Sequence, residues 1–342
     1  MESSTEIALR PLRLGEILDQ AIRLYRHNFL TFMGIIALAE IPLLLVQTAL
    51  PLLYKSDVPV SGNTSSDIFS AHWFITNTAI FFVRWIFVDG LGSAVLTYAI
   101  ARCYLGQKTG ILGAYRQLGS SWLKLLTILF VFAVVLFMAA VWALIPCVGW
   151  FSGPGLLIFL SMTVMPLIPA TVIIERQAGV NAIVRAWDLA RRRFLWILGF
   201  DMILTLFSWI LFAGPSLVIT SLVTGILASS SEALATFDIY NLVSGVSATL
   251  FGVLFLPIQT AVWTLIYFDL RVRTEAFDIA LLAVNDPEDT NQLVVLPSAQ
   301  KWIAAEDIAK LFLVSLLVVG FFVLINILPV LLILLAAAFS PR

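Results

Sequence analysis

The stretch that decides the fold is Phe29-Leu-Thr-Phe-Met-Gly-Ile-Ile-Ala-Leu-Ala-Glu-Ile-Pro-Leu-Leu-Leu-Val-Gln-Thr-Ala-Leu-Pro-Leu-Leu53, in which Glu40 is the single charged side chain. An α-helix rises about 1.5 Å per residue, so roughly 20 apolar residues cross a hydrocarbon core about 30 Å thick. This run is long enough to do so. Six more follow, at Trp73–Ala101, Leu125–Leu144, Leu156–Ile174, Phe194–Ala213, Leu242–Phe268 and Leu311–Ala338. The stretch Leu217–Ala228 is apolar but only about 12 residues long, which reads as a continuation of the fifth helix or an interfacial piece.

Composition agrees. Of 342 residues 61% are hydrophobic and 12% charged, with a mean hydropathy of +1.00. A soluble domain carries about 25% charged residues, and roughly half of any folded surface must face water. The sequence therefore predicts an all-α, polytopic integral membrane bundle of about seven transmembrane helices. A formal charge of −1 gives no footprint for nucleic acid. The first thirty residues carry Glu2, Glu6, Glu16 and Asp19 and lack an early apolar core, so no cleavable signal is expected.

Lysine and arginine give the orientation. Arg10, Arg13, Arg23 and Arg26 precede the first run; Arg102, Lys108, Arg116 and Lys124 separate the second and third. Arg176, Arg185, Arg191, Arg192 and Arg193 separate the fourth and fifth, and Arg271, Arg273, Lys301 and Lys310 the sixth and seventh. The alternate loops hold Lys55 alone, and Arg342 follows the last run. Basic residues concentrate on the cytoplasmic side, so the N-terminus is expected inside and the C-terminus outside. Cys103 and Cys147 then fall on opposite faces, out of disulfide range of each other.

Three outward-running helices are preceded by similar stretches: Leu14–Asn28, Gly110–Ser121 and Gly179–Arg193. Aligning Phe29-Leu30, Trp122-Leu123 and Phe194-Leu195 puts Ala21, Ala114 and Ala186 in register, and Ile22, Tyr115 and Trp187 beside them. In the first, Ile17, Leu18, Ala21, Leu24 and Tyr25 form an apolar stripe at helical spacing. Each stretch reads as an amphipathic helix in the headgroup plane before helices 1, 3 and 5, with arginine toward anionic lipid. Such helices serve as elbows that orient the hairpins, or as sites that sense lipid or dock a partner. Arg23, Arg26, Arg191, Arg192, Arg193, Arg271 and Arg273 are the interfacial basic residues of this scheme.

The opening Leu9–Leu30, the pair Val172-Ile-Ile-Glu-Arg176 and Ala186-Trp-Asp-Leu-Ala-Arg-Arg-Arg193, and the closing Tyr267-Phe-Asp-Leu-Arg-Val-Arg-Thr-Glu-Ala-Phe-Asp278 carry a resemblance. Together they resemble the glycerophosphoryl diester phosphodiesterase membrane-domain family over residues 9–283. The resemblance implies a bacterial plasma-membrane domain, residues 1–283, with six membrane helices. A polar cytoplasmic linker, 284–310, and an additional C-terminal helix, 311–342, then extend the family pattern. Some members carry a fused phosphodiesterase domain, which needs a His-Arg-Gly motif and a carboxylate-bound metal. Here His27 precedes Asn28 and His72 precedes Trp73, so the catalytic activity is not carried over. In the closing motif, Asp269–Arg273 and Arg271–Glu275 are i, i+4 pairs if the helix continues past the membrane, and would anchor its end.

Four charged side chains fall inside predicted spans: Glu40, Arg84, Asp89 and Asp201. Glu40 and Arg84 each lie roughly 16 Å from a face, near the midplane, so an ion pair between them is expected. Asp89 and Asp201 both come out about 6–11 Å from the inner face. If adjacent they would repel one another when ionised, as in proton-coupled sites; otherwise each caps backbone or pairs separately with Arg102 or Arg84. Pro42, Pro166, Pro169 and Pro257 interrupt membrane helices, and Pro42 lies close to Glu40.

No P-loop, nucleophile elbow or HExxH is present, and nothing in the sequence calls for a metal or other cofactor. The expected function is that of a non-catalytic membrane protein, a scaffold or subunit that organises a membrane-protein partner or the lipid bilayer. The alternative is a small transporter or proton-coupled permease built on Glu40, Arg84, Asp89 and Asp201.

Overall fold

The computed structural model describes residues 11–53, 78–107, 109–119, 121–177, 179–210, 214–228, 233–275 and 304–338. Arg10, Lys55, His72, Lys108, Arg342 and the linker Asn285–Lys301 lie outside them. The described residues form helices and turns. In chain order these are α1 (Leu14–His27), α2 (Phe29–Leu53), α3 (Thr78–Tyr104), α4 (Ile111–Leu118), α5 (Ser121–Ala143) and α6 (Val148–Ile173). Then come α7 (Val180–Arg192), α8 (Phe194–Ser208), α9 (Gly214–Ala228), α10 (Ala233–Glu275) and α11 (Ala305–Ala338). Five segments are long and apolar enough to cross a membrane: Phe29–Gln47, Thr78–Tyr104, Trp122–Ala143, Val148–Ile173 and Val243–Glu275. Their outward faces carry Phe130, Phe137 and Met138 on α5 and Leu250 on α10, apolar side chains suited to lipid.

The second half of α10 is the axis of the fold. Every residue from Ala261 to Val272 is buried, all the way round the helix, which requires neighbours on every side. α1, α2, α3, α6, α7 and α9 pack along α10. This also changes the reading of the short helices that lead into α2, α5 and α8. The aligned alanines Ala21, Ala114 and Ala186 are each at most 1% exposed. In α1 the buried stripe is Ile17, Ala21 and Tyr25, packed into the helical core. A face engaged with protein in this way is withdrawn from lipid. A sharp break separates each leading helix from the long one: Asn28 (φ −118°) before α2, Gly119 (φ +41°) before α5 and Arg193 (φ −134°) before α8.

Helix boundaries depart from the expected runs at the starts of α6 and α11. α6 begins at Val148, directly after Cys147 with its positive φ of 63°, and not at Leu156. The glycines of this stretch are packing positions. A Cβ on Gly149 or Gly153 would strike Trp142 or Ala143 of α5, and one on Gly155 would strike the Leu311 carbonyl of α11. Of the expected fifth span, Phe194–Ala213, α8 covers Phe194–Ser208 and Trp209 and Ile210 continue it as π-helix; residues 211–213, which lead to α9, lie outside the described residues. α11 begins at Ala305, inside the expected linker. Glu306 and Asp307 occupy its first turn, where the helix dipole favours acidic side chains, and Lys310 pairs with Glu306 at 3.0 Å.

The expected interruption of the fourth span is present. α6 widens to a π-helix over Phe159–Val164 and tightens to a 3-10 turn at Met165–Leu167, next to Pro166 and Pro169. In contrast, α2 and α10 stay helical through Pro42 and Pro257. α3 carries a second π-helical segment, Arg84–Gly92. Cys103 and Cys147 are both free thiols.

Candidate functional site

Two groups of polar side chains stand out. The first is where α6, α7 and the end of α10 meet. After α6 the chain turns through Glu175 and Arg176, and Arg176 takes a positive φ of 54°. That turn brings α7 back across the bundle. Glu175, with a side chain only 1% exposed, faces Arg185 of α7. The Arg185 guanidinium donates to both Glu175 oxygens, from Nε at 2.8 and 3.1 Å and from Nη2 at 3.0 Å. Its Nη1 lies 2.5 Å from Oε1 of Glu275, at the end of α10. Arg271 joins from the same helix, with Nε 3.2 Å from Glu275 and 3.7 Å from Glu175. The Tyr267 hydroxyl donates to Glu175 Oε1 at 2.7 Å.

Two carboxylates and two guanidiniums thus form a neutral, buried cluster joining three elements. Burial disfavours the charge on Arg185. The hydrogen bonds and charges of Glu275 and Glu175 outweigh it and hold the guanidinium's pKa above its ordinary value. Bidentate arginine–carboxylate contacts are directional as well as strong, so the cluster sets the angle between α7 and α10.

Two further clamps flank it. Asp269, with its side chain fully buried, accepts from the Leu12 backbone N–H at 2.8 Å and from Arg273 Nε at 2.8 and 2.9 Å. Arg273 in turn donates to the Leu12 carbonyl at 2.7 Å. The chain entering α1 is therefore pinned to α10 by both of its backbone groups at Leu12. On α7, Asp188 accepts from Arg191 at 2.7 Å and Arg192 at 2.8 Å, and Arg191 reaches Asp307 of α11 at 3.3 Å. Burial alone would raise the Asp188 carboxyl, but its two arginine partners outweigh this and hold it below the usual carboxylate range.

The expected pairs Asp269–Arg273 and Arg271–Glu275 are thus formed. The basic residues assigned to the interface divide. Arg23 and Arg26 are exposed on α1. Arg191 and Arg271 are turned inward, 7% and 5% exposed, because carboxylates on neighbouring helices hold them. Arg192 lies on Asp188, and Arg193 stacks over the Trp196 ring at 4.8 Å. Arg273 is partly exposed beside Asp269.

The second group lies inside the bundle, where α2, the π-helical segment of α3 and α10 meet. Glu40 is 1% exposed, and neither of its carboxylate oxygens has a hydrogen-bond partner among the described residues. Arg84 and Asp89, both on the π segment, are within electrostatic reach of it. The direct Glu40–Arg84 pair expected from depth alone is therefore not closed. Depth fixes position along the bundle normal but not the direction a side chain takes around its helix. Asp201 is buried on α8, and neither Glu40, Arg84 nor Asp89 acts on it. Of the four charges expected inside spans, Arg84 and Asp89 are within electrostatic reach of Glu40 while Asp201 stands apart, so Asp89 and Asp201 form no carboxylate pair.

Glu175, Arg185, Tyr267, Asp188 and Asp307 form this architecture but were not singled out from the sequence as site residues. The signal was present in part, since Glu175, Tyr267 and Asp188 fall within the stretches that carry the family resemblance. No family model, curated protein or solved structure matches this chain.

Proposed function

We propose that this chain is a non-catalytic scaffold or subunit of the bacterial plasma membrane, holding a membrane-protein partner or a lipid environment in fixed geometry. The observation that carries the reading is the Glu175–Arg185–Arg271–Glu275 cluster. Its ionisable groups are engaged with one another and lock α6, α7 and α10 into one unit. The flanking clamps extend that unit to α1 and α11. Buried ionic groups of this kind serve specificity of arrangement better than raw stability.

In this reading the clustered end is cytoplasmic, following the distribution of lysine and arginine. The chain crosses seven times, with α8 as a short fifth crossing and α11 as the seventh. The helices α1, α4 and α7 act as amphipathic elbows near the inner interface, with Arg23 and Arg26 directed to lipid headgroups. Membership of the glycerophosphoryl diester phosphodiesterase membrane-domain family is part of the same proposal. It is supported by the way Leu12, Glu175 and the residues from Tyr267 to Glu275, one from each resembling stretch, converge on the clamps.

The test is affinity purification of the tagged full chain from native membranes after mild crosslinking, with mass spectrometry of proteins and lipids. A partner at constant stoichiometry is expected, retained in Glu40→Gln and Asp201→Asn. A chain recovered alone at every crosslinker dose would overturn the proposal.

A second reading, a small proton-coupled permease, has one observation in its favour: Glu40 is buried without a hydrogen-bond partner. Reconstituted vesicles carrying a pH-sensitive dye would show proton flux that is lost in Glu40→Gln. Vesicles no leakier than protein-free ones across all driving gradients would remove this reading.

A further inference from the structure

The unpartnered oxygens of Glu40 are not isolated. Gln47 Oε1 on α2 and Thr249 Oγ1 on α10 are also buried and without hydrogen-bond partners among the described residues. All three belong to one helix–helix seam. A Cβ on Gly252 of α10 would come 3.1 Å from Glu40 Oε1, and one on Gly245 would come 3.0 Å from Gln47 Oε1. Glu40 and Gln47 are two turns apart on α2; Gly252 and Gly245 are two turns apart on α10, running the other way. Thr249 lies between the two glycines, one turn from each, on the same face. The seam is therefore a row of oxygens facing glycine backbone, extending about 10 Å along the helices.

Buried polar atoms are nearly always satisfied, by protein or by ordered water. A carboxylate, an amide carbonyl and a hydroxyl, all buried and without a hydrogen-bond partner among the described residues, require partners from elsewhere. A dehydrated metal cation needs its oxygens gathered around one point at about 2.3–2.6 Å, which a row about 10 Å long does not provide. Water, and a proton carried on it, fits a row.

We propose that the α2–α10 seam is a hydrated proton-exchange path that ends on the Glu40 carboxyl. Glu40 takes up and releases a proton through water that is hydrogen-bonded to Thr249 and Gln47. No group is transferred except the proton, which passes between a water oxygen and Glu40. The glycines at 245 and 252 let the Gln47 and Glu40 oxygens approach the α10 backbone closely, so that the oxygens stay within the seam. The path runs from Glu40 toward the Leu53 end of α2.

The charged groups facing Glu40 are Arg84 and Asp89 of the π segment. α10 offers no ionisable side chain between Val243 and Ile266. α1 and α4 bring two phenols, but Tyr25 donates to the Leu254 carbonyl at 3.0 Å and Tyr115 to the Ile35 carbonyl at 2.7 Å. On α3, Arg102 is occupied by Tyr98 and Gln107. Protonation of Glu40 is thus set by Arg84, Asp89 and the water of the seam. The inference deepens the permease reading, yet proton exchange at Glu40 requires no net transport and is compatible with a scaffold.

The experiment uses the full chain in detergent and in vesicles. Dicyclohexylcarbodiimide reacts with protonated carboxyls in apolar surroundings, and peptide mass spectrometry locates the adduct. Labelling of Glu40 is expected, falling at least tenfold as pH is raised through a single titration and unchanged by replacing potassium with sodium. In Thr249→Val the rate of labelling is expected to fall severalfold while the titration midpoint stays in place. Absence of labelling at every pH overturns the proposal, because the carboxyl is then never a reachable acid. Protection by sodium at constant pH also overturns it and assigns the seam to a metal cation. Labelling with no flux in the vesicle assay retains the proton site and removes only the permease reading.

Discussion

The Arg185 guanidinium grips both oxygens of Glu175, with its shortest contact at 2.8 Å, and so joins α7 to the turn that follows α6. Both side chains are at most 10% exposed. Removing one member of a buried ion pair leaves an uncompensated charge and costs about 3–5 kcal/mol. Arg185→Ala should therefore lower the thermal midpoint in detergent by several degrees or more. Arg185→Lys keeps the charge but not the planar fork, so its loss should fall between those of wild type and alanine. Pairing Arg185→Met with Glu175→Gln removes both charges and should recover part of the alanine loss. A midpoint unmoved by Arg185→Ala would show that the cluster is not under load.

Acid should free Arg191, the side chain that α7 extends to Asp307 of α11, from the Asp188 carboxylate that orients it, and so loosen the hold between the two helices. The Asp188 carboxyl lies below its ordinary value in the folded chain, where Arg191 and Arg192 hold its ionised form. A group depressed in this way contributes stability above its unfolded pKa, about 3.9 for aspartate. That contribution is lost as pH falls from there through the lower folded value. A spin label on each helix should report increasing separation below about pH 4. In Asp188→Asn the separation should be larger at neutral pH and nearly insensitive to acid. A wild-type distance that stays fixed down to pH 2.5 would argue against this account.

Much of this architecture could be read from hydropathy, because a membrane span carries its own signal in a single run of residues. α2, α3 and α5 lie close to their expected runs. Boundaries failed where that signal is ambiguous. Gly149, Gly153 and Gly155 look like a loop in sequence and act as close-packing positions in space. The charged residues failed differently. Arg191 and Arg271 were assigned to lipid by their place at helix ends. Their burial depends on carboxylates over a hundred residues away or on another element, such as Asp307 and Glu175. The i, i+4 pairs were legible because a helix fixes them locally. The Glu175–Arg185 fork was not, because the turn at Arg176 creates it.

The close packing of small residues that joins α6 to α5 recurs where α6 meets α11. The Gly155 N–H donates to Ser315 Oγ at 2.7 Å, at a buried point where a Cβ would collide with the Leu311 carbonyl. Ser315→Ala removes only the hydrogen bond and should cost about 1 kcal/mol. Gly155→Ala forces the helices apart and should cost more, because the obstructing atom is backbone and cannot rotate away. A cysteine pair placed across this contact should crosslink efficiently in wild type and poorly in Gly155→Ala. Equal crosslinking in both would show that the contact has room to spare.

The last clamp predicts the behaviour of the segment that enters α1. The Leu12 N–H is held by Asp269 and its carbonyl by Arg273, so both backbone groups depend on one turn of α10. Leu12 itself is 3% exposed, which places an apolar side chain in the core beside the polar contacts. In Asp269→Ala the amide loses its acceptor, and Arg273 loses the carboxylate that orients it. Hydrogen exchange at Leu12 should then accelerate at least tenfold, while amides in the middle of α5 should stay protected. Arg273→Ala removes the carbonyl contact and the guanidinium paired with Asp269 but leaves the amide's acceptor in place, so its acceleration should be smaller. If the apolar side chain alone anchors the segment, the two variants will exchange at the wild-type rate and Leu12→Ala will be the one that frees it. The order Asp269→Ala fastest, Arg273→Ala next and wild type slowest assigns the anchoring to the carboxylate.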